Sequence, residues 1–223
     1  MTAQRHPAFT LIELLVVIGL VAILAGALGL GLREANPSLA LQSGQATVAS
    51  LLAAARGQAA LRQNRAILVV DADPAAENFL RGLHIAVESA PHSGRWRITG
   101  PGAVLPPGIY LVPGNAAFDG VTFTADGTPG NRWPAQRRSS LELAPPGDIA
   151  PSADNPAGMY LSMTVPLAEA GAPGSGAGDK LVLSAARRTA TGVSFDRPEW
   201  VRGVALSSYG VAIFINDAPD FDF

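Results

Sequence analysis

The sequence predicts an α+β protein in which a long N-terminal helix, apolar at first and amphipathic afterwards, leads into a β-rich domain. Three observations predict this. Leu14 to Leu32 is a run of 19 residues without a charge. Leu41, Val48, Leu52, Ala55 and Ala59 then recur at the spacing that lines one face of a helix. From Ala66 onward, short runs rich in branched residues alternate with turn formers, and most of the 24 glycines and 18 prolines follow Leu80.

The chain of 223 residues is long enough for one medium domain with a sizeable core, together with an anchor. Sixteen basic and 18 acidic residues leave a net charge of −2, so the overall balance selects neither polyanions nor basic partners. The chain has no cysteine, which excludes disulfides, thiolate metal sites and a cysteine nucleophile.

As a helix, the apolar run of 19 residues is about 28 Å long, close to the hydrocarbon thickness of a bilayer. A buried core helix of that length normally shows a polar stripe, and this one has none, so it reads as a membrane span. Glycines 19, 26, 29 and 31 lower helix propensity but permit close helix contacts. A cleaved secretory signal is the competing reading. The run is too long for one, begins beside an acid, and is followed by Arg33, Glu34 and Asn36 in place of a small-residue cleavage site. Arg5 before the span and Arg33 after it leave orientation undecided by charge alone.

The stretch AFTLIELLVVIGLVAILAG, Ala8 to Gly26, resembles the class III signal of type IV prepilins and type II secretion pseudopilins. In that family a prepilin peptidase cuts on the cytoplasmic side before a phenylalanine and methylates the new amine, and the fifth mature residue is a glutamate. Phe9 and Glu13 match that spacing; Ala8 stands where the family usually has glycine. The resemblance thus implies a leader over residues 1–8, cleavage and N-methylation at Ala8 and Phe9, and an assembly role for Glu13. A carboxylate near the centre of a membrane helix costs roughly 2.5–3.5 kcal/mol on insertion scales. No basic residue lies between Glu13 and Arg33, and the resemblance implies that Glu13 pairs with the Phe9 amine of a neighbouring subunit.

Taken with the resemblance, the organisation expected is a transmembrane helix over 9–35, an amphipathic helix over 36–65 and a periplasmic β-rich domain over 66–223. Asn36-Pro37 is expected to interrupt or kink the helix, with Ser38 capping its continuation. Gln42, Gln45, Ser50, Arg56 and Gln63 fall largely off the apolar face, and the helix is expected to end near Asn64. Ala66 to Asp73 reads as the first strand. Further strands are expected at Leu83 to Glu88, Arg95 to Thr99, Gly108 to Val112, Val121 to Ala125, Met159 to Val165, Lys180 to Ala185, Val201 to Ser207 and Val211 to Ile215. Pro145 to Pro156 and Ala168 to Asp179 read as loops.

Leu51 to Val70, Gly120 to Asn131 and Val204 to Asp217 are similar to the helix-to-strand, strand-turn and terminal hairpin segments of H-type minor pseudopilins and FimT-like minor pilins. That resemblance implies a pilin-like fold, a long helix packed on antiparallel sheets.

Catalytic signals are absent from the sequence. His6, His84 and His92 are scattered, no i, i+4 histidine pair suggests zinc, and no G-x-S-x-G elbow is present. Gly171 to Lys180 lacks the G-K-[ST] ending of a phosphate loop. Asp71 and Asp73 close a strand, and Asp217, Asp220 and Asp222 crowd the C-terminus without an EF-hand pattern, which reads as a solvated tail. Arg137-Arg138 and Arg187-Arg188 are too few for a phosphate-binding face. The expectation is therefore no enzyme, no cofactor and no metal. The protein is expected to be a single-pass inner-membrane protein with its C-terminal domain in the periplasm. Its expected partners are prepilin peptidase, other pseudopilins or pilins met through the N-terminal helix, and inner-membrane lipid, with no role for nucleic acid. The reading is a type II secretion minor pseudopilin, with a pilus or competence minor pilin as its alternative and a plain membrane-anchored binding domain as the remote one.

Overall fold

The computed structural model describes residues 11–31, 37–114, 120–123, 133–141, 148–150, 160–165, 180–207 and 209–221, with backbone alone at 23–31, 148 and 160–165. The chain divides into two units, Met1–Asn36 and Pro37–Phe223.

The first unit contains helix α1, Leu11–Gly31, with Glu13 in its first turn. Its residues from Leu11 to Ala22 are exposed, among them Leu11, Leu15 and Ile18.

The second unit begins with helix α2, Pro37–Arg62. Proline suits the first helical position because its missing N–H is one that a helix start leaves unbonded. Ser38 therefore lies inside the first turn and not at the expected cap position. The helix stops where Gln63 adopts a left-handed backbone, φ 52°, and the Asn64 N–H donates to the Ala59 carbonyl. All five residues of the predicted apolar face are buried, joined by Gly44, Gln45 and Leu51.

Twelve strands follow among the described residues: β1 Ala66–Asp71, β2 Gly82–Glu88, β3 Arg95–Val104, β4 Ile109–Leu111, β5 Val121–Phe123, β6 Asp148–Ile149, β7 Tyr160–Val165, β8 Lys180–Ala185, β9 Arg187–Arg188, β10 Val193–Phe195, β11 Val201–Leu206 and β12 Ala212–Ile215. They form a five-stranded sheet in the order β6-β3-β2-β1-β7, a four-stranded sheet β12-β11-β8-β4 and a small sheet β5-β10-β9. Pairing is antiparallel except for β3–β6 and β5–β10. The architecture is thus the α+β one expected.

Helix α2 packs on both larger sheets. Val48, Leu52 and Ala55 join Leu68 and Val70 of β1, Leu83 of β2, Leu181 and Leu183 of β8 and Val204 of β11 in one core. Gly44 is buried in this contact, where a Cβ would touch Ile109, Leu105 and Leu183 at the ordinary packing distances of 3.4–3.7 Å. A second cluster, Ile67, Val69, Ala86 and Trp96, lies on the opposite face of the five-stranded sheet.

Three strand expectations need correction. The strand expected to end at Thr99 runs on to Val104, because a register shift between Leu83 and Ile85 lets it pair again beyond Gly100, whose φ is +74°. Residues 148–149, expected in a loop, pair in parallel with Arg95 and Trp96. Strands β9 and β10, only two and three residues long, were not expected at all; runs that short carry no alternation to read. Their sheet is held by rings: Phe123 stacks on Phe195 at 5.5 Å, and Trp133 meets Phe195 edge-on at 5.8 Å. The Ala168 to Asp179 loop lies outside the described residues.

Candidate assembly site

Of the three residues expected to carry processing and assembly, Ala8 and Phe9 lie outside the described residues. Glu13 is the third residue of α1, exposed in its first turn. A carboxylate there suits the positive end of the helix dipole. Around it the helix surface is apolar on every side: Leu11, Ile12, Leu14, Leu15, Val16 and Val17 are each more than half exposed. Such a surface is a cost in water and an asset against lipid or other apolar helices. Among the described residues no helix is long and apolar enough to cross a membrane; the expected span over 9–35 falls in part outside them.

The soluble unit places the other candidate residues apart. His84 Nε2 lies 3.3 Å from Asp71 Oδ1, on adjacent strands. Asp73 Oδ1 instead accepts from the Ala75 N–H at 2.8 Å, holding a turn. His92 sits in the β2–β3 turn with φ 57°. Asp217 and Asp220 are exposed around the closing 3-10 turn, Ala218–Phe221. Among the described residues no group of three or more histidine, aspartate or glutamate side chains is gathered as a metal would need. His6 and Asp222, like Gly171 to Asp179, lie outside them.

The two arginine doublets are each tied into the domain. Arg137 donates to the Pro198 carbonyl at 2.7 Å, and Arg138 lies over Phe123 at 4.6 Å. Arg187 pairs with Asp196 at 2.5 Å. Arg188 donates to the carbonyls of Pro74 and Ala76 at 2.6 and 3.0 Å. Guanidiniums held in this way staple loops together, and among the four Arg187 has its charge paired with a carboxylate.

Sequence reasoning missed two polar anchors. Arg65 forms a two-pronged pair with Glu88, Nε and Nη2 each 2.8 Å from a carboxylate oxygen. The Gly94 N–H donates to the same carboxylate at 2.8 Å, and the Arg65 guanidinium lies 5.5 Å from the Trp96 ring centre. The Arg65 guanidinium, reinforced by Gly94 and opposed by burial, holds the Glu88 carboxyl down at about 2; Arg65 is raised in turn by Glu88. This clasp closes the junction from α2 to β1 against the β2–β3 turn. The second anchor is Gln45, expected off the apolar face but buried. Its Nε2 donates to the carbonyls of Gly203 and Ile215 at 2.7 and 3.0 Å, fixing α2 to the hairpin β11–β12. A lone glutamine amid helical apolar spacing carries no sequence signal for such a role.

The family described as Prokaryotic N-terminal methylation motif matches residues 4–29. This is the type IV pilin-like prepilin signal, and it brackets Ala8, Phe9 and Glu13. It supports a pilin-like or pseudopilin protein anchored in the envelope by its N-terminus, a structural subunit by class, and implies processing by prepilin peptidase and assembly with other pilin subunits. The helix followed by a longer helix and mainly antiparallel sheets is consistent with a pilin-like fold. No match to the chain was found among curated proteins or among solved structures.

Proposed function

We propose that the protein is a minor pseudopilin of a type II secretion pseudopilus, of the H-type. In this reading residues 1–8 are a leader removed by prepilin peptidase between Ala8 and Phe9, and Phe9 becomes the N-methylated first residue. Residues 9–35 span the inner membrane once, 36–65 continue as the helix into the periplasm, and 66–223 form the periplasmic domain. On assembly Glu13 offsets the new positive amine of a neighbour and sets the register between helices, while the β domain presents its surface to other pilins or to cargo.

The observation that carries the reading is the methylation motif over residues 4–29 with Glu13 in the first turn of an exposed apolar helix. The net charge of −2 and the exposed Asp217 and Asp220 after the apolar terminal hairpin favour a protein-facing subunit over one that takes up nucleic acid. The intact N-terminal mass of the membrane-bound protein, made with and without a prepilin peptidase, tests it. A peptidase-dependent chain beginning at N-methylated Phe9 is expected. An unchanged Met1 terminus in both reduces the segment to an anchor, and cleavage after the apolar run overturns the assembly mechanism.

A further inference from the structure

Among the described residues the last hairpin leaves an apolar edge unpaired. Among the described residues β12 pairs only with β11, and Val211, Ile213 and Phe214 are each about half exposed at 52, 54 and 53%, with Tyr209 at 71%. Exposed edge strands are normally blunted by lysine, proline, a bulge or a covering element. Ala212–Ile215 reads AIFI and carries neither charge nor proline. Between this strand and α2 runs a groove of about 560 Å³, where Ala53, Gly57 and Ala60 face Val211 and Phe214, and Arg56 is the charged residue of its lining.

We infer that this edge and groove receive an extended apolar segment of another protein, which adds as a strand antiparallel to β12. Adjacent strand residues point to opposite faces, so Ile213 and Phe214 are exposed on both sides of the sheet. A helix laid in the groove covers only the α2 side; an added strand covers both. Its main chain bonds the outer edge, and alternate side chains enter the groove over the small residues of α2.

For that antiparallel direction, charge fixes the two ends of the segment. Gln45 fixes α2 beside Ile215. Eleven residues along α2 from Gln45, or ~16 Å at the helical rise, bring Arg56 level with Gly210, just before β12, since five residues of extended chain back from Ile215 also span ~16 Å. Arg56 and Gly210 both line the groove, as that geometry requires. At the other end of β12 stand the exposed Asp217 and Asp220. A segment running antiparallel to β12 begins at the aspartates and finishes at Arg56. It therefore has a basic or amino group at its N-terminal end, alternating apolar residues, and a carboxylate at its C-terminal end.

Full-length protein in lipid nanodiscs tests this by fluorescence anisotropy. The ligand is a labelled nine-residue peptide of alternating valine and threonine, with lysine first and glutamate last. Saturable binding is expected, lost with a central proline in the peptide or with Phe214→Asp. Exchanging the peptide's terminal charges, or Arg56→Glu, is expected to weaken it about tenfold, equivalent to about 1.4 kcal/mol. Arg56→Glu together with Asp217→Lys is expected to bind the exchanged peptide better than the original. Absence of binding, equal binding of the proline peptide, or tighter binding of an apolar helical peptide overturns the proposal. So does a disulfide between two copies of Ile213→Cys in membranes at a rate well above that of the exposed control Thr122→Cys, because the edge then belongs to a second copy of this chain.

Discussion

The two helices α1 and α2 follow one another in the chain and are both rich in leucine and alanine, yet they meet their surroundings in opposite ways. Along α2 eight residues are buried, and the helix packs against strands of its own domain. Along α1 the residues from Leu11 to Ala22 are all exposed. The difference lies in pattern more than in mean apolarity. Glutamines, serines and arginines interrupt α2 so that a single stripe remains, and a single stripe is satisfied by one sheet face. The exposed surface of α1 from Leu11 to Ala22, apolar but for Glu13, calls for an apolar environment on all sides. The second helix is built for its own core, and the exposed apolar face of the first suits the lipid and neighbouring helices of the proposed function.

The sharpest way to break this comparison is to truncate one apolar side chain in each helix. Leu52 is fully buried, and Leu52→Ala is expected to cost the domain about 2–5 kcal/mol, the transfer loss plus the cavity left behind. Ile18→Ala in α1 is expected to leave thermal unfolding of the domain unchanged. Equal shifts in the two melting curves would show that the first helix also belongs to the domain's cooperative unit.

A smaller effect is expected at the junction after α2. Glu88→Ala removes a buried carboxylate but leaves Arg65, whose side chain is 40% exposed, able to reach water. The loss is therefore about 1–3 kcal/mol, the range for a buried polar interaction undone. The pH dependence has a definite sign. The Glu88 carboxyl lies at about 2 in the folded protein, below the 4.5 of a free glutamate. Its contribution is present above that upper value and is lost as pH falls toward about 2. Urea unfolding between those limits is expected to show the wild-type advantage over Glu88→Ala shrinking as the solution is acidified. A constant difference would mean that packing, and not the ion pair, sets the cost.

Those two predictions also mark what the sequence could tell. The apolar stripe of α2 was legible because helical periodicity is local: Leu41, Val48, Leu52, Ala55 and Ala59 are all buried as expected. Most strand positions were legible for the same reason, Lys180–Ala185 to the residue. What was not legible depends on distant partners. Gln45 reads as surface until Gly203 and Ile215, more than 150 positions away, are placed above it. Arg65 and Glu88 are ordinary charges until the strands bring them together, and the Gly/Pro run after Thr99 looks like a loop until a bulge returns it to register. The expected processing and assembly residues rest on the motif alone, since Ala8 and Phe9 lie outside the described residues and Glu13 is exposed.

Gln45→Ala is expected to cost about 1 kcal/mol, within the range for a net hydrogen bond. The effect should concentrate at the hairpin β11–β12, because both acceptors lie there. Hydrogen exchange can locate it: faster exchange confined to Val201–Ile215 supports a local clamp, and uniform loss of protection assigns Gln45 to the whole core.

The smallest effect on stability carries the most about function. Glu13 lies in α1 among residues 11–31, outside the unit that begins at Pro37, so Glu13→Ala is expected to leave domain unfolding unchanged. Membrane insertion should be equal or slightly easier, since an apolar residue replaces a carboxylate. On the proposed function, assembly with other pilin subunits is nevertheless expected to fail, because the charge proposed to offset a neighbour's amine is gone. Glu13→Gln separates charge from shape: it preserves size and hydrogen bonding, so failure there as well assigns the role to the negative charge. Co-purification of epitope-tagged subunits from membranes reads the outcome. Normal assembly of both variants would leave α1 as an anchor only, and the contrast between the two helices would then be one of solvent rather than of partners.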